Sequence, residues 1–584
     1  MTNQRSRSVS SSSGTSTVSA GEWVFVAIVV VVALAVTTIP YLYAYASTPE
    51  GWRYMGVMVN VPDHVQYFSW YWDYTHTNLA IDRLTPEPNA PVFFNLLWWM
   101  LGRLGGLLGV GYEVMFQGLR VVATIAFLAL LYRLCAWYLP DLWQRRTAFL
   151  TAILASGFGW VLIALRELFN LPQLIWGTPD YPLQISLLIF TFEPNTFYSI
   201  LSTPHLIGAA LYMLAFDLVV RGEQRRPWLA AILAGLWTQF MGWQHGYDLF
   251  LVWSILAAYG LLKVLRDRAL GWRAIPWRLV WMGVIVVGLS APAGLYSFLL
   301  TQLDPIWRQV LSQFGNADVY SPMPWAVWAL MGPSFLLALA QQVRAGLFRL
   351  RGLDDKALFL KAWFWANFAL LYLPTDYQIK MLNGWQVPTA ILATQFVFDV
   401  IVPWLGRRAS TLRAWAPQMA ALALLAVVVP TNLYLFAWRF IDLGRHTYPY
   451  YLSTDEVAAL EWLRDNGTGD DVVLASLAVG QYVPALSGER AVLAHWAQTV
   501  AYFDKRDEVT AFYAADTTPE ARQALLDKYN VRYVIVGPVE RGPQPADYAP
   551  TEVGSPDLVG LDWTTQGLDP VFETETVTVF AVRR

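Results

Sequence analysis

The sequence predicts a polytopic α-helical membrane protein with a soluble α/β domain at its C-terminal end. Three observations carry this reading: the composition, the spacing of long apolar runs, and a change of character after about residue 440. Of 584 residues, 56% are hydrophobic and only 14% are charged, whereas an ordinary soluble domain carries about a quarter charged residues. Most of the chain is therefore expected in lipid. Apolar runs near 23–44, 114–138, 146–166, 204–220, 227–243, 247–265, 278–300, 324–343, 359–374, 386–404 and 414–436 are each roughly long enough to cross a 30 Å hydrocarbon core. About eleven spans follow.

Residues 1–20, with the serine run Ser8 to Ser13, are polar and expected to be disordered. The first apolar run is too long for a secretory signal core and has no persuasive cleavage site, so it reads as a retained helix. Placing the N-terminus in the cytoplasm puts Gln144-Arg145-Arg146, Arg221 to Arg226, Lys263 to Arg273, Arg344 to Lys356 and Arg407-Arg408 on the cytoplasmic side together. The membrane domain then occupies 21–440, with long outer loops at 46–112 and 167–204, and residues 441–584 lie outside the cytoplasm. The apolar stretch 91–110 inside the first loop is followed by no basic cluster, so a re-entrant or interfacial helix fits it better than a further span.

In the C-terminal segment, Ser453-Thr454-Asp455-Glu456 caps an amphipathic helix running through Arg464. Short β-branched runs at 472–474 and 531–536, a helix at 519–529 and a hairpin at 571–582 complete a small α/β domain. Asn466-Gly467-Thr468 reads either as a glycosylation acceptor or as a turn that ends the helix.

The net charge of -3 leaves no basic surface for nucleic acid. The single cysteine, Cys135, cannot form an internal disulfide or a cysteine-based metal site. Nucleotide-binding, serine-hydrolase and zinc-protease motifs do not occur in a suitable context, so reactivity has to arrive with the substrate. The 29 Trp, 29 Tyr and 30 Phe exceed what interfacial belts need, which places some of them around a ligand.

Candidate chemistry lies in the outer loops. Asp63 in Val61-Pro62-Asp63-His64 can act as a general base or hold a divalent metal, or can simply cap a helix beside an exposed His64. A second cluster joins Asp180, Glu193, Asn195 and His205; an acid at the depth of Glu193 is expensive unless it is paired or in a wet cavity. His205 is equally a ligand-binding group or a helix-start residue. His245 and Asp248 share a short turn that either binds a sugar or phosphate or only caps a helix. In Asp376-Tyr377-Gln378-Ile379-Lys380, Lys380 stands against the usual charge bias, which suggests an anionic partner such as a lipid phosphate, with snorkelling as the alternative.

With an early acid in a long first loop, many spans and an outer α/β domain, the chain resembles the GT-C superfamily of membrane glycosyltransferases. That group includes protein mannosyltransferases, oligosaccharyltransferases and aminoarabinose transferases. Loose motifs carry the likeness through the C-terminal segment: Glu461-Trp462-Leu463-Arg464-Asp465-Asn466, Ser487-Gly488-Glu489-Arg490 after the 472–474 strand, and Lys528-Tyr529-Asn530-Val531-Arg532-Tyr533-Val534. Gln378-Ile379-Lys380 ahead of Gly384 and Pro388 is similar to a Gln-Arg-Arg or Gln-Arg-Lys loop of related proteins.

The resemblance implies a sugar donor on a polyprenyl phosphate, an extracytoplasmic glycan, lipid or protein acceptor, and Asp63 as base or metal ligand. Glu193 then supports the acceptor or an ion. His64, His205, His245, Gln378 and Lys380 are expected to bind substrate, Lys380 at the donor phosphate. The superfamily's acidic pair has no counterpart, because His64 and Val65 follow Asp63. A lipid-linked-sugar transporter or flippase and a non-catalytic assembly subunit are the alternatives; a transporter more often shows two related halves with broken helices, which the sequence does not display.

Overall fold

The computed structural model describes residues 18–169, 193–314, 321–408, 413–542 and 561–583. Seven of its helices are long and apolar enough to cross a membrane: Ala20–Ser47, Tyr112–Tyr138, Pro204–Gly222, Tyr247–Arg266, Trp277–Leu303, Pro324–Ala345 and Gln378–Arg408. Two bent pairs, Leu142–Leu154 with Gly159–Phe169 at 52° and Ala416–Val428 with Pro430–Gly444 at 46°, raise the number to nine if each is one span. The expected count of eleven differs by two runs. Those at 227–243 and 359–374 form the 16-residue helices Pro227–Gly242 and Asp355–Leu370, about 24 Å long at 1.5 Å per residue. The loop expected at 167–204 lies largely outside the described residues, and Asp180 with it.

Both bends, and a kink at Gly332 (φ +67°) in Pro324–Ala345, meet at one place. Broken helices leave N–H and C=O groups that lipid cannot satisfy, so protein must. Ser156 N–H donates to Val428 O at 2.9 Å and Phe158 N–H to Ala329 O at 2.7 Å. The Thr431 hydroxyl donates to Gly157 O at 2.8 Å, and Asn432 Nδ2 to Leu154 O at 3.0 Å. A Cβ on Gly157 would run into the backbone oxygens of Ala329 and Leu330, so glycine is required there.

The loop between the first two long helices is built, not loose. It holds β1 (Trp52–Tyr54) and the helices Val61–His76 and Leu96–Leu108. The second of these, 13 residues and about 20 Å long, is too short to span and packs its Gly102 and Gly105 against Tyr74 and Tyr71 of the first.

β1 pairs antiparallel with β2 (Tyr451–Ser453), matching Trp52 to Ser453 and Tyr54 to Tyr451. Beyond β2, a five-stranded sheet has the order β4-β3-β5-β7-β6, with β3 Val472–Leu474, β4 Arg490–Ala491, β5 Val531–Val536, β6 Leu568–Glu573 and β7 Thr578–Val582. β4, β3 and β5 are parallel; β7 and β6 close the sheet as an antiparallel hairpin. Asn466 ends the helix Thr454–Asn466, its Nδ2 donating to Trp462 O at 2.9 Å, as the helix-ending reading expects.

One apolar cluster runs from Tyr41 and Val57–Val65 through Trp98 to Leu452, Leu460, Val479 and Ile535. Polar ties reinforce it. Arg83 pairs with Asp73 at 2.8 Å and donates to Gly488 O at 2.6 Å, and Lys505 pairs with Glu87 at 2.6 Å. The segment that carries Asp63 is thereby fastened to the C-terminal sheet.

Candidate active site

Val61–His76 begins with Pro62 in its first turn, where a missing N–H does no harm, and with Asp63 near the positive end of the helix dipole. Asn60 precedes it in the left-handed region (φ 50°) and donates from Nδ2 to Asp63 Oδ2 at 2.7 Å. The other carboxylate oxygen faces His495 Nε2 at 3.3 Å. Burial pushes the Asp63 carboxyl up, but the bond from His495, the Lys380 charge and the Asn60 bond outweigh it and hold the group well below the ordinary carboxylate range. It is therefore a carboxylate at neutral pH.

Asp63 opens onto a cavity of about 670 Å³. Glu193, His205, His245 and Lys380 also line it, so one space collects candidates that the sequence scatters over more than 300 positions. Glu193 is buried and Lys380 Nζ lies 2.9 Å from its Oε1. Lys380, expected at the donor phosphate, is thus already ion-paired, yet its side chain keeps 26% exposure and lines the cavity. His205 packs on the ring of Tyr67, centroids 4.8 Å apart. His245 Nδ1 is 3.0 Å from Asp248 Oδ2, and Asp248 in turn accepts from Asn383 Nδ2 at 3.1 Å, so the carboxylate of that turn orients the imidazole.

Two expected substrate ligands are not on the wall. His64 is fully buried behind it, with Nδ1 2.8 Å from Asn60 O and its ring between Phe116 and His205; burial lowers its proton affinity. Gln378 spends its amide on the local chain, donating to Leu373 O at 2.9 Å and accepting from Ser321 N–H at 3.3 Å. Asp73 is occupied by Arg83.

Conversely, the sequence reading missed the roof, where Trp496, Ala497 and Gln498 come from the C-terminal sheet domain. It also missed Trp307 on the amphipathic helix Pro305–Phe314. No periodicity or motif marks His495; a lone histidine in the apolar run Val492-Leu493-Ala494-His495-Trp496 was the only signal.

Aromatic rings supply much of the wall: Trp70 and Trp307 both pack on Phe93, at 4.3 and 4.5 Å, and Trp243 packs on Tyr296 at 4.8 Å. Thr203 Oγ1, His205 Nδ1, Trp307 Nε1 and Gln498 Oε1, all on lining residues, have no hydrogen-bond partner within the described chain. Among the described residues no three His, Cys, Asp or Glu side chains converge as a metal site would need; Asp63's near partners are an amide and an imidazole.

Solved structures share this fold. The chain aligns with the arabinofuranosyltransferase AftD from Mycobacteria at a TM-score of 0.53 and 16% identity, over 97% of this chain and 42% of that one. It aligns with the apo oligosaccharyltransferase of Archaeoglobus fulgidus at 0.50 and 14%, over 88% of this chain and 70% of that one. The chain shares the fold of these two solved proteins. At the level of sequence, residues 381–584 match a family model described as a family of unknown function, DUF6541. No curated protein matches the chain.

Proposed function

We propose that the chain is a multi-pass membrane glycosyltransferase that moves a sugar from a polyprenyl-phosphate carrier to an extracytoplasmic acceptor. One observation carries the reading: a single cavity between the membrane bundle and the C-terminal domain holds an ionised Asp63 together with the Lys380–Glu193 pair. The acceptor hydroxyl oxygen attacks the anomeric carbon, its proton passes to Asp63, and the bond from that carbon to the carrier phosphate breaks. Lys380 meets the charge that grows on the departing phosphate, in a site where reduced dielectric makes that contact strong. Glu193 holds Lys380 in place and supports the acceptor. The aromatic wall suits a sugar, whose C–H faces stack on rings, and the charged and imidazole side chains of the lining can meet its hydroxyls.

On this reading the N-terminus is cytoplasmic, residues 441–584 form the extracytoplasmic α/β domain, and the protein resides in the inner (plasma) membrane. The test is an assay of purified protein with a panel of polyprenyl-phosphate-linked hexoses and pentoses, following release of polyprenyl phosphate. Asp63→Asn is expected to lower turnover roughly a hundredfold or more while leaving donor binding within about twofold. Unchanged turnover in Asp63→Asn removes it as the base.

A further inference from the structure

Asp63 is held by a residue 432 positions away in the chain. The turn 494–499 that presents His495 is closed by its own bonds: Thr499 Oγ1 accepts from Ala494 N–H at 3.1 Å and His495 N–H at 3.0 Å, and donates to Leu84 O at 2.5 Å. Gln313 of Pro305–Phe314 donates to Ala497 O at 3.0 Å and Thr499 O at 2.7 Å and accepts from Ala501 N–H at 3.2 Å. Val500 N–H reaches Thr85 Oγ1 at 3.1 Å. The turn is pinned on three sides, and the His495 side chain is only 2% exposed.

Its ring nitrogens have unequal company. Nδ1 is met by two backbone donors, Ala497 N–H at 3.0 Å and Gln498 N–H at 3.1 Å. A nitrogen accepting from N–H groups cannot itself carry a proton, so in the neutral ring the proton sits on Nε2. Nε2 faces Asp63 Oδ1 at 3.3 Å. The local backbone therefore selects one tautomer, and that tautomer is a donor to the carboxylate.

We propose that His495 is a positioning residue of the active site: an Nε2–H donor, supplied by the C-terminal segment, that together with Asn60 fixes the rotamer of Asp63 where it lines the cavity. The proposal rests on the reading of Asp63 as general base. It makes the C-terminal domain part of the catalytic unit, and closure of the 494–499 turn onto Leu84 a condition for activity.

Two amides separate the two jobs of the ring. Gln places its side-chain nitrogen near the position of Nε2 and keeps the donor to Asp63, whereas Asn keeps an acceptor near Nδ1 for the turn and loses the donor. Turnover of the polyprenyl-phosphate-sugar panel is measured for His495→Gln, His495→Asn, Asp63→Asn and the double variant His495→Asn/Asp63→Asn. We expect His495→Asn to lose roughly ten- to hundredfold in kcat with KM within about twofold. His495→Gln should keep most of the activity, and His495→Asn should add nothing in the Asp63→Asn background.

Equal activity in His495→Gln and His495→Asn, whether high or low, overturns the positioning role while leaving Asp63 in place. Near-normal turnover in Asp63→Asn overturns the base reading itself and this proposal with it. A second readout needs no turnover: nitrogen-15 NMR of histidine-labelled protein, with the His495 signals identified by their loss in His495→Gln, should show a protonated Nε2 and a bare Nδ1. The opposite tautomer overturns the proposal.

Discussion

Two lysine–glutamate pairs stand at opposite ends of Tyr247–Arg266, about 24 Å apart along the helix. Near its start, Lys380 meets Glu193 at 2.9 Å; near its end, Lys263 meets Glu223 at 2.7 Å. The acids are alike, with 4% and 5% side-chain exposure. The cations are not. Lys263 is 8% exposed, and Asp355 Oδ2 at 3.1 Å adds a second acid beside it. Lys380 is 26% exposed and turns its open side to the cavity. The same bond thus closes a structure at one end and leaves a charge available at the other. What separates scaffold from site is the coordination of the cation.

Lys263→Gln is the severest test of this contrast. It leaves Glu223 buried without its main partner, and breaking a buried pair costs about 3–5 kcal/mol. The variant should melt well below the wild type and express poorly, while any protein that folds binds donor normally. A melting temperature within a degree of the wild type would show the pair to be incidental.

Lys380→Gln also leaves a buried acid, Glu193, without its partner and should lower melting too; what sets it apart is an added loss of about 1.5–3 kcal/mol in donor binding, roughly ten- to hundredfold. Lys380→Arg keeps the charge and most of the binding. Measuring polyprenyl-phosphate-sugar affinity for the three proteins decides it, because snorkelling alone leaves all three equal.

A third buried acid sharpens the comparison, because it has no cation. Glu456 accepts from Tyr448 OH at 2.6 Å and Ser453 N–H at 2.8 Å, and shares the space around Gly537 with Glu540. Burial first, then the Glu540 charge, push its carboxyl up to about 7. A raised carboxyl binds a proton more tightly in the folded than in the unfolded chain, so its contribution is complete below about pH 4.5 and is lost as pH rises through about 7. Melting of the C-terminal domain should weaken between pH 5 and pH 8 by on the order of 1–2 kcal/mol, and Glu456→Gln should flatten that slope.

How much of this was legible in the sequence follows the range of each signal. Long apolar runs, the capping box at Ser453 and the β-branched strands are local, and the structure places helices and strands there. The cavity's membrane-side residues were readable because charge in an apolar setting is conspicuous: Asp63, Glu193 and Lys380 each stood out from their surroundings. Their mutual pairing was not, since Glu193 and Lys380 lie 187 positions apart. His64 was over-read for the opposite reason, since a histidine beside a candidate acid looks functional until the helix turns it into the core. His495 and Trp307 carried no sequence mark: one sits in an apolar run and the other on an ordinary amphipathic helix, and only tertiary packing brings them to the site.

The junction of broken helices also sets a timetable for biogenesis. Leu154 O receives its partner from Asn432, 278 positions later in the chain. At synthesis rates of about 5–20 residues per second, that interval is on the order of 14–55 s. Until then the break at 155–158 has groups in the bilayer whose final partners have not left the ribosome. The early helices must wait beside water, lipid headgroups or the insertion machinery, and the bundle can lock only after the last bent pair arrives. Arrest of translation ahead of residue 428 would strand a chain that has most of its spans but lacks the bonds that Val428, Thr431 and Asn432 give the break.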